Sequence, residues 1–356
     1  MIRRPPRSTR KESSAASDVY KRQKVLMKSI IFITMTLMTT LTAYAHGDHL
    51  WSTDTKAFEY TENMLQNKSI SPKEILKDST LINVDGSFFS QRLKEFSGAT
   101  PVILNGNSVN ISERGSKEGI ENALLYLTNE YKNLGYESEI KEFGSFFSKG
   151  KNFIATKKGQ DSSKVILITS HIDSVGNAGA NDNGSGTIGT LAIAKALAPY
   201  NFKYDLRIVG FDKEEKGLVG SKQYVKALSK DEQSKIIGVI NFEMMGTNSR
   251  KDGRFHIIDC DRPESTFMTK TMEGIMNWHK LGLTKVPGCT DRSDHASFWK
   301  ANIPAIVISE NFFGGDSDKC YHKKCDEFNS RLDFTYMEKI TTAVASTAYR
   351  LLNPIN

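Results

Sequence analysis

The chain has 356 residues, 38% of them apolar and 25% charged, which is enough apolar side chain for a packed core and too little bias for a disordered polymer. Its formal charge of +7 does not describe a nucleic-acid-binding surface: residues 1–45 hold nine Lys or Arg against two Asp or Glu, and the remainder is neutral. This excludes nucleic acid as the expected partner and leaves a single globular domain behind a processed front.

Residues 1–26 are basic and Ser-rich, and Arg3 to Gln23 resembles translated sequencing-adapter read-through, so they are expected to be a non-native leader. Met27 is a natural start. It is followed by Lys28, an uncharged stretch from Ser29 to Tyr44 and a small-x-small end at Ala43-Tyr44-Ala45, which reads as a signal peptide over 27–45 with a mature start at His46. The stretch is shorter than the ~20 residues a bilayer needs, so no stable membrane anchor is expected after cleavage. The protein is read as exported, to a periplasm or to the medium. In such an oxidising compartment disulfides persist. Cys320 and Cys325 flank His322, and a bridge between them would hold that histidine. Cys260 and Cys289 remain, either bridged or buried as free thiols.

Residues 46–87 are mixed and polar and are read as an N-terminal extension wrapped on a domain over 88–356. A helix is predicted from Ser116 to Leu134, with Gly135 as its stop. A hairpin follows from Tyr136–Phe143 and Asn152–Thr156. Apolar runs at Val165–Thr169, Leu206–Phe211, Ile236–Phe242 and Ala305–Ser309 read as buried strands. Helices are predicted between and after them at Thr187–Leu197, Leu218–Leu228, Ser265–Trp278 and Phe334–Leu352. The alternation specifies an α/β fold: a single domain with a mixed, mostly parallel twisted sheet sandwiched by helices, and function at the carboxyl ends of the strands.

Ligand-type side chains stand at those ends. His171 and Asp173 follow the first central strand, Asp182 lies in the turn Asn181–Gly186, and Glu214 and Glu215 follow the second strand. Glu243 closes the third, and His322 sits in the Cys320–Asp326 loop. Each has an ordinary reading alone, as a turn residue, a solvated charge or an exposed loop histidine. A solvated-surface explanation would scatter them, however, and they follow separate strands of one sheet. Two imidazoles and three carboxylates suit two Zn²⁺ ions sharing one bridging carboxylate. Adjacent residues on an extended chain point to opposite sides, so Glu214 is expected to be free of metal beside Glu215 and to act as the general base.

The strings Ser170-His171-Ile172-Asp173-Ser174, Asn181-Asp182-Asn183-Gly184-Ser185-Gly186, Phe211–Ser221 with its Glu214-Glu215 pair, Arg292-Ser293-Asp294-His295 and Cys320-Tyr321-His322 resemble, in kind and order, the secreted bacterial dizinc aminopeptidases of leucyl aminopeptidase type, which have the zinc-dependent exopeptidase fold. The resemblance covers roughly residues 88–350. It implies two Zn²⁺ per chain, His171 and Glu243 on one, Glu215 and His322 on the other, with Asp182 between them. It implies Glu214 as base, Tyr321 as a hydrogen-bond donor to the developing oxyanion, and Asp173 and Asp294 as supporting carboxylates, Asp173 behind His171. Relatives also bridge the positions of Cys320 and Cys325. The Glu243 position is more often Asp in the family, and the 27 residues between Glu215 and Glu243 leave no room for the protease-associated insert of larger relatives. The resemblance thus implies a compact, single-domain exopeptidase acting on peptides with a free N-terminus, and a monomer is favoured.

Three other readings compete. A glutaminyl cyclase shares a similar fold but carries a Trp-containing loop after the Glu pair, where this chain has Lys216–Ser221. A serine hydrolase would use Ser185 or Ser293, neither of which lies in Gly-x-Ser-x-Gly. A non-catalytic metal module has no use for Glu214. His295 is expected to be a wall residue and not a ligand, and His256 and His279 to be ordinary histidines. His46 and His49 could form at most a weak adventitious metal site. Phe298, Phe312 and Phe313 are candidates either for an apolar pocket or for the core.

Overall fold

The computed structural model describes residues 80–144 and 149–354; the expected leader, the signal peptide and residues 46–79 lie outside them. Asp85 caps the first described helix, α1 (Gly86–Phe96), by accepting the N–H groups of Ser87 and Phe88, and α1 buries Phe89, Leu93 and Phe96. This helix crosses the boundary expected at residue 88. The segment ahead of it joins the core: Ile82 and Val84 are buried, and their N–H groups donate to Ser346 Oγ at 2.9 Å and Thr342 Oγ1 at 3.1 Å.

A short hairpin, β1 (Val102–Leu104) and β2 (Asn107–Val109), leads to α2 (Lys117–Asn133). As its sequence predicts, α2 starts at a Ser116 cap whose hydroxyl accepts the Gly119 N–H and stops before Gly135 in the left-handed region (φ 80°). The main sheet follows: β3 (Glu137–Phe143), β4 (Gly150–Lys157), β5 (Asp161–His171), β6 (Tyr204–Phe211), β7 (Ile236–Glu243), β8 (Arg254–Ile258), β9 (Thr284–Val286) and β10 (Ala305–Glu310). Their order is β3-β4-β6-β5-β7-β10-β8-β9. The four central strands run parallel; β3 and β4 pair antiparallel with their neighbours, and β8 is antiparallel to β10 but parallel to β9. The helices are α3 (Gly186–Leu197), α4 (Val219–Ala227), α5 (Lys230–Lys235), α6 (Thr266–Trp278), α7 (His295–Trp299) and α8 (Phe334–Leu352).

Alternation along β5 shows why the sheet is covered twice. Ile166 and Ile168 belong to the larger core with α1, α2, α3, α6 and α8, whereas Val165 and Leu167 pack on the other face with Tyr224 and Val225 of α4 and Phe298 and Trp299 of α7. Register then aligns the strand ends. His171 is opposite Phe211, Thr169 opposite Asn241, and Glu243 opposite Ser309. The groups that follow β5, β6, β7 and β10 therefore open onto one edge.

Candidate metal centre

His171 is the last residue of β5 and is almost fully buried. Its Nδ1 lies 3.1 Å from the main-chain oxygen of Asp173, so Nδ1 carries a ring hydrogen and Nε2 faces the site. The Asp173 carboxylate, expected to hold that ring, pairs with Nδ1 at 3.5 Å. It also accepts the N–H groups of Glu214 and Glu215 at 3.1 and 3.2 Å and so fixes the acidic pair.

That pair does not sit on an extended chain. The N–H groups of Gly217 and Leu218 both donate to Glu214 O at 2.8 Å, and Lys213 and Leu218 take left-handed backbone at φ 60° and 59°, so Glu214 and Glu215 occupy a tight turn. Both carboxylates reach the same side, grouping with His171 within 4.8 Å. The expectation that they point apart is corrected accordingly. The Gly-x-x-Gly after them has a steric cause: a Cβ on Gly220 would stand 2.3 Å from Asp212 O, where β6 enters the turn.

Asp182 lies in the wide turn Ala180–Ser185, with a cis peptide to Asn183. Its Oδ1 is 3.2 Å from Nε2 of His171 and its Oδ2 is 3.2 Å from Nε2 of His322. Glu243 Oε1 approaches the first imidazole at 3.4 Å and Glu215 Oε2 the second at 3.1 Å. The five expected ligands thus form two groups sharing Asp182. A tetrahedral ion with bonds of 2.0–2.1 Å sets its ligand atoms about 3.3 Å apart, the spacing found here. Glu215 Oε1 is also buried without a hydrogen-bond donor, and the carboxylates outnumber the imidazoles. A divalent cation in each group fits this donor set.

The charges confirm how crowded the site is. Burial, reinforced by Glu243, Asp294 and Glu215, pushes the Glu214 carboxyl up to about 10. Burial and Asp182 push Glu215 to about 7. Burial would raise Asp182 too, but hydrogen bonds from both histidines outweigh it and hold it at about 2. Asp294 is fully buried, and burial raises it to about 7. Tyr321, stacked on His322 with ring centres 3.8 Å apart, has its hydroxyl pushed up by burial and by the carboxylates; it stays protonated and able to donate.

A cavity over the two groups is walled on one side by Met244, Ile258, Val307, Phe312 and Phe313. Phe298 takes no part in it; that ring is buried against Phe211 and Tyr224 beneath the sheet. His295, expected to be a wall residue, does not line the cavity: it is buried and edge-on to Trp299, with Nε2 2.9 Å from Thr290 O. Both cysteine pairs are bridged, Cys320–Cys325 and Cys260–Cys289.

Three supports were not legible from spacing. Arg114 is 0% exposed and gives its guanidinium to the carbonyls of Ile172, Phe96, Ala178 and Gly179, bracing the chain on both sides of the His171 and Asp182 loops. Asp326 accepts the N–H groups of Asn181 and Asp182 at 2.8 and 2.9 Å, while Arg331 pairs with it at 2.8 Å. Ser293 donates to Glu243 Oε2 at 2.6 Å and accepts from Asn241. The adjacency of Asp326 to Cys325 was the one available hint.

The model of Peptidase family M28 matches residues 152–348. Leupeptin-inactivating enzyme 1 of Streptomyces exfoliatus is 33% identical over 256 residues, which are 66% of this chain and 56% of that protein; the chain spans about half the length of the curated relatives it matches. Among solved structures, BSAP, a zinc aminopeptidase from Bacillus subtilis, superposes with a TM-score of 0.67 at 15% identity, covering 76% of this chain and 96% of its own. A glutaminyl cyclase from Bacteroides thetaiotaomicron gives 0.59 at 17% identity, covering 75% and 98%. At these identities the two superpositions establish the shared fold.

Proposed function

Because the chain belongs to peptidase family M28, we propose that it is an exported, monomeric zinc aminopeptidase that removes the first residue of peptides with a free N-terminus. The observation that carries this reading is Asp182, one oxygen at each histidine, which supports two Zn²⁺ per chain: His171, Glu243 and Asp182 would hold one, and His322, Glu215 and Asp182 the other. Zinc in such a pair supplies Lewis-acid polarisation of the scissile carbonyl and a lowered pKa for water.

The chain's own groups supply the rest. Glu214 reaches the same side as the ligands and is assigned the base: the positive charge of bound cations would offset the burial and the neighbouring carboxylates that otherwise keep it protonated, and its carboxylate then takes the proton of the attacking water and returns it to the leaving amine. The Tyr321 hydroxyl donates to the carbonyl oxygen as charge develops there. Glu243 and Glu214 give the cavity its acid end, suited to a substrate ammonium, and the apolar wall suits the first side chain. Export is supported by the two disulfides; among the described residues no helix is long and apolar enough to cross a membrane.

Glu214→Gln and Glu215→Gln test the assignment. Removing the base should lower turnover of leucyl-p-nitroanilide by roughly 10² to 10⁴ with zinc content unchanged, whereas Glu215→Gln should lower zinc content as well. Near-native turnover by Glu214→Gln, or equal cleavage of the N-acetylated substrate, sinks the reading. Cyclisation of an N-terminal glutamine without peptide cleavage would replace it with the cyclase.

A further inference from the structure

His256 has no acidic neighbour in the sequence, yet its surroundings in the fold are specific. It lies in β8 opposite Ser309 of β10 and is fully buried. The N–H of Phe313 donates to its Nε2 at 3.0 Å, so Nε2 is unprotonated. Nδ1 lies 3.2 Å from Val286 O and therefore carries the hydrogen. The ring is held as one neutral tautomer with both nitrogens used. A Cβ on Gly288 would come within 2.8 Å of Nδ1, so the chain after β9 closes over the ring and leaves it nowhere to turn.

What the ring holds is the wall of the cavity. His256 packs on Phe313 at 5.4 Å, Phe313 on Phe312 at 5.3 Å and Phe312 on Tyr321 at 5.4 Å. Phe312, Phe313 and Tyr321 all line the cavity. Phe313 is 50% exposed, so burial alone does not fix it; its backbone bond to His256 does.

We propose that His256 is a positioning residue for this aromatic wall, and that protonation of its ring releases Phe313 and weakens capture of apolar first side chains. The proposal rests on the cavity being the site for a peptide's first residue. A protonated imidazole has two N–H groups and no acceptor, so Nε2–H would face the N–H of Phe313, and one bond becomes a repulsion. Only the Val286 carbonyl favours that charge, and burial outweighs it. The charged groups on the elements packed round the ring are engaged elsewhere: Arg254 with Asp252, Lys285 with Glu273, and Arg250 with the carbonyls of Gly314 and Gly315. Glu310 accepts from Asn181 and Thr247, and Asp316 accepts from Ser249 and Arg250. Asp291 and Arg292 follow on the loop beyond Gly288, and Tyr321 is reached only through Phe312. Among the described residues none pairs with His256. Burial accordingly holds its pKa below the usual histidine value, so release belongs to mildly acidic pH.

The experiment compares the zinc-loaded wild-type protein with His256→Gln and His256→Phe on phenylalanyl-p-nitroanilide from pH 5 to 8. A glutamine oxygen accepts the Phe313 N–H at every pH; a phenyl ring never does. Wild-type KM should rise roughly three- to tenfold as pH falls below 6.5, the effect of one hydrogen bond. His256→Gln should keep its neutral-pH KM throughout, His256→Phe should show the raised KM at all pH values, and kcat should follow one profile in all three. In parallel, protection of the Phe313 amide from hydrogen exchange should fall with pH in wild type and not in His256→Gln. Superimposable KM profiles for wild type and His256→Gln overturn the proposal, as does an amide equally protected at pH 5 and 8. Absence of cleavage by any of the three, with the amide behaving as stated, would instead remove the peptidase reading and, with it, the claim about side-chain capture.

Discussion

The backbone N–H of Asp182 is held by the carboxylate of Asp326 at 2.9 Å. The shared ligand of the candidate site is thus aimed by a residue four positions past His322, the imidazole of one of its two groups. Asp326 is fully buried and keeps its geometry through Arg331. Replacing it with Asn converts an acceptor into a donor facing another N–H, so Asp326→Asn should lose zinc affinity by roughly ten- to a hundredfold. Isothermal titration of the chelator-treated protein with Zn²⁺ checks this; unchanged affinity would separate Asp326 from the site.

Zinc should also stabilise the fold. The candidate ligands come from the ends of three strands, the Ala180–Ser185 turn and a disulfide loop, and the unfolded chain cannot present them together. At free Zn²⁺ a hundredfold above the dissociation constant, linkage gives about 2.7 kcal/mol for one site, or several degrees in Tm. Chelator should lower Tm by that much, Zn²⁺ should restore it, and the stoichiometry should approach two. A Tm indifferent to chelator in active protein is the adverse outcome.

The Cys320–Cys325 bridge encloses His322, whose backbone takes the left-handed region at φ 57°. A double Cys320→Ser, Cys325→Ser variant should weaken the zinc held through His322 and Glu215 by about tenfold while the ion held through His171 and Glu243 keeps its affinity. Two calorimetric steps that move apart support this; two that weaken equally argue against it.

The same contrast shows what a sequence can disclose. Strand runs such as Val165–Thr169 and Leu206–Phe211 were legible because buried parallel strands are continuous apolar text, and the candidate ligands stood out because polar residues end those runs. The short strands at and next to one edge were not legible. β8 spans Arg254–Ile258 and β9 Thr284–Val286, too brief to show a period, and α1 was hidden because its cap, Asp85, precedes a mixed segment. Arg114 could not be read at all: its partners are carbonyls 18 to 65 residues away, which leave no mark on side-chain pattern. The Glu214–Glu215 geometry was misjudged because a turn looks like a strand end until the backbone bonds to Glu214 O are known.

His295 gives a pH dependence of stability. It is fully buried and burial lowers its pKa to about 4, whereas the unfolded chain takes up the proton near 6.5. Stability from this group is therefore complete above pH 6.5 and is lost as pH falls toward 4, by about 3 kcal/mol in order of magnitude. His295→Gln should be less stable than wild type at pH 7.5 but lose less between pH 6.5 and 4 in urea titrations. Parallel acid limbs for the two proteins would contradict this.

The partnership of Asp182 with Asp326 also orders events in time. A growing chain has synthesised His171, Asp182, Glu214, Glu215 and Glu243 long before it reaches the residue that aims Asp182, which lies 144 positions after it. Contacts of such separation form late, since the intervening loop must close first. While it is being made the protein therefore carries its acids without their final geometry. Competence at the proposed centre therefore waits on a contact that closes 144 residues of chain.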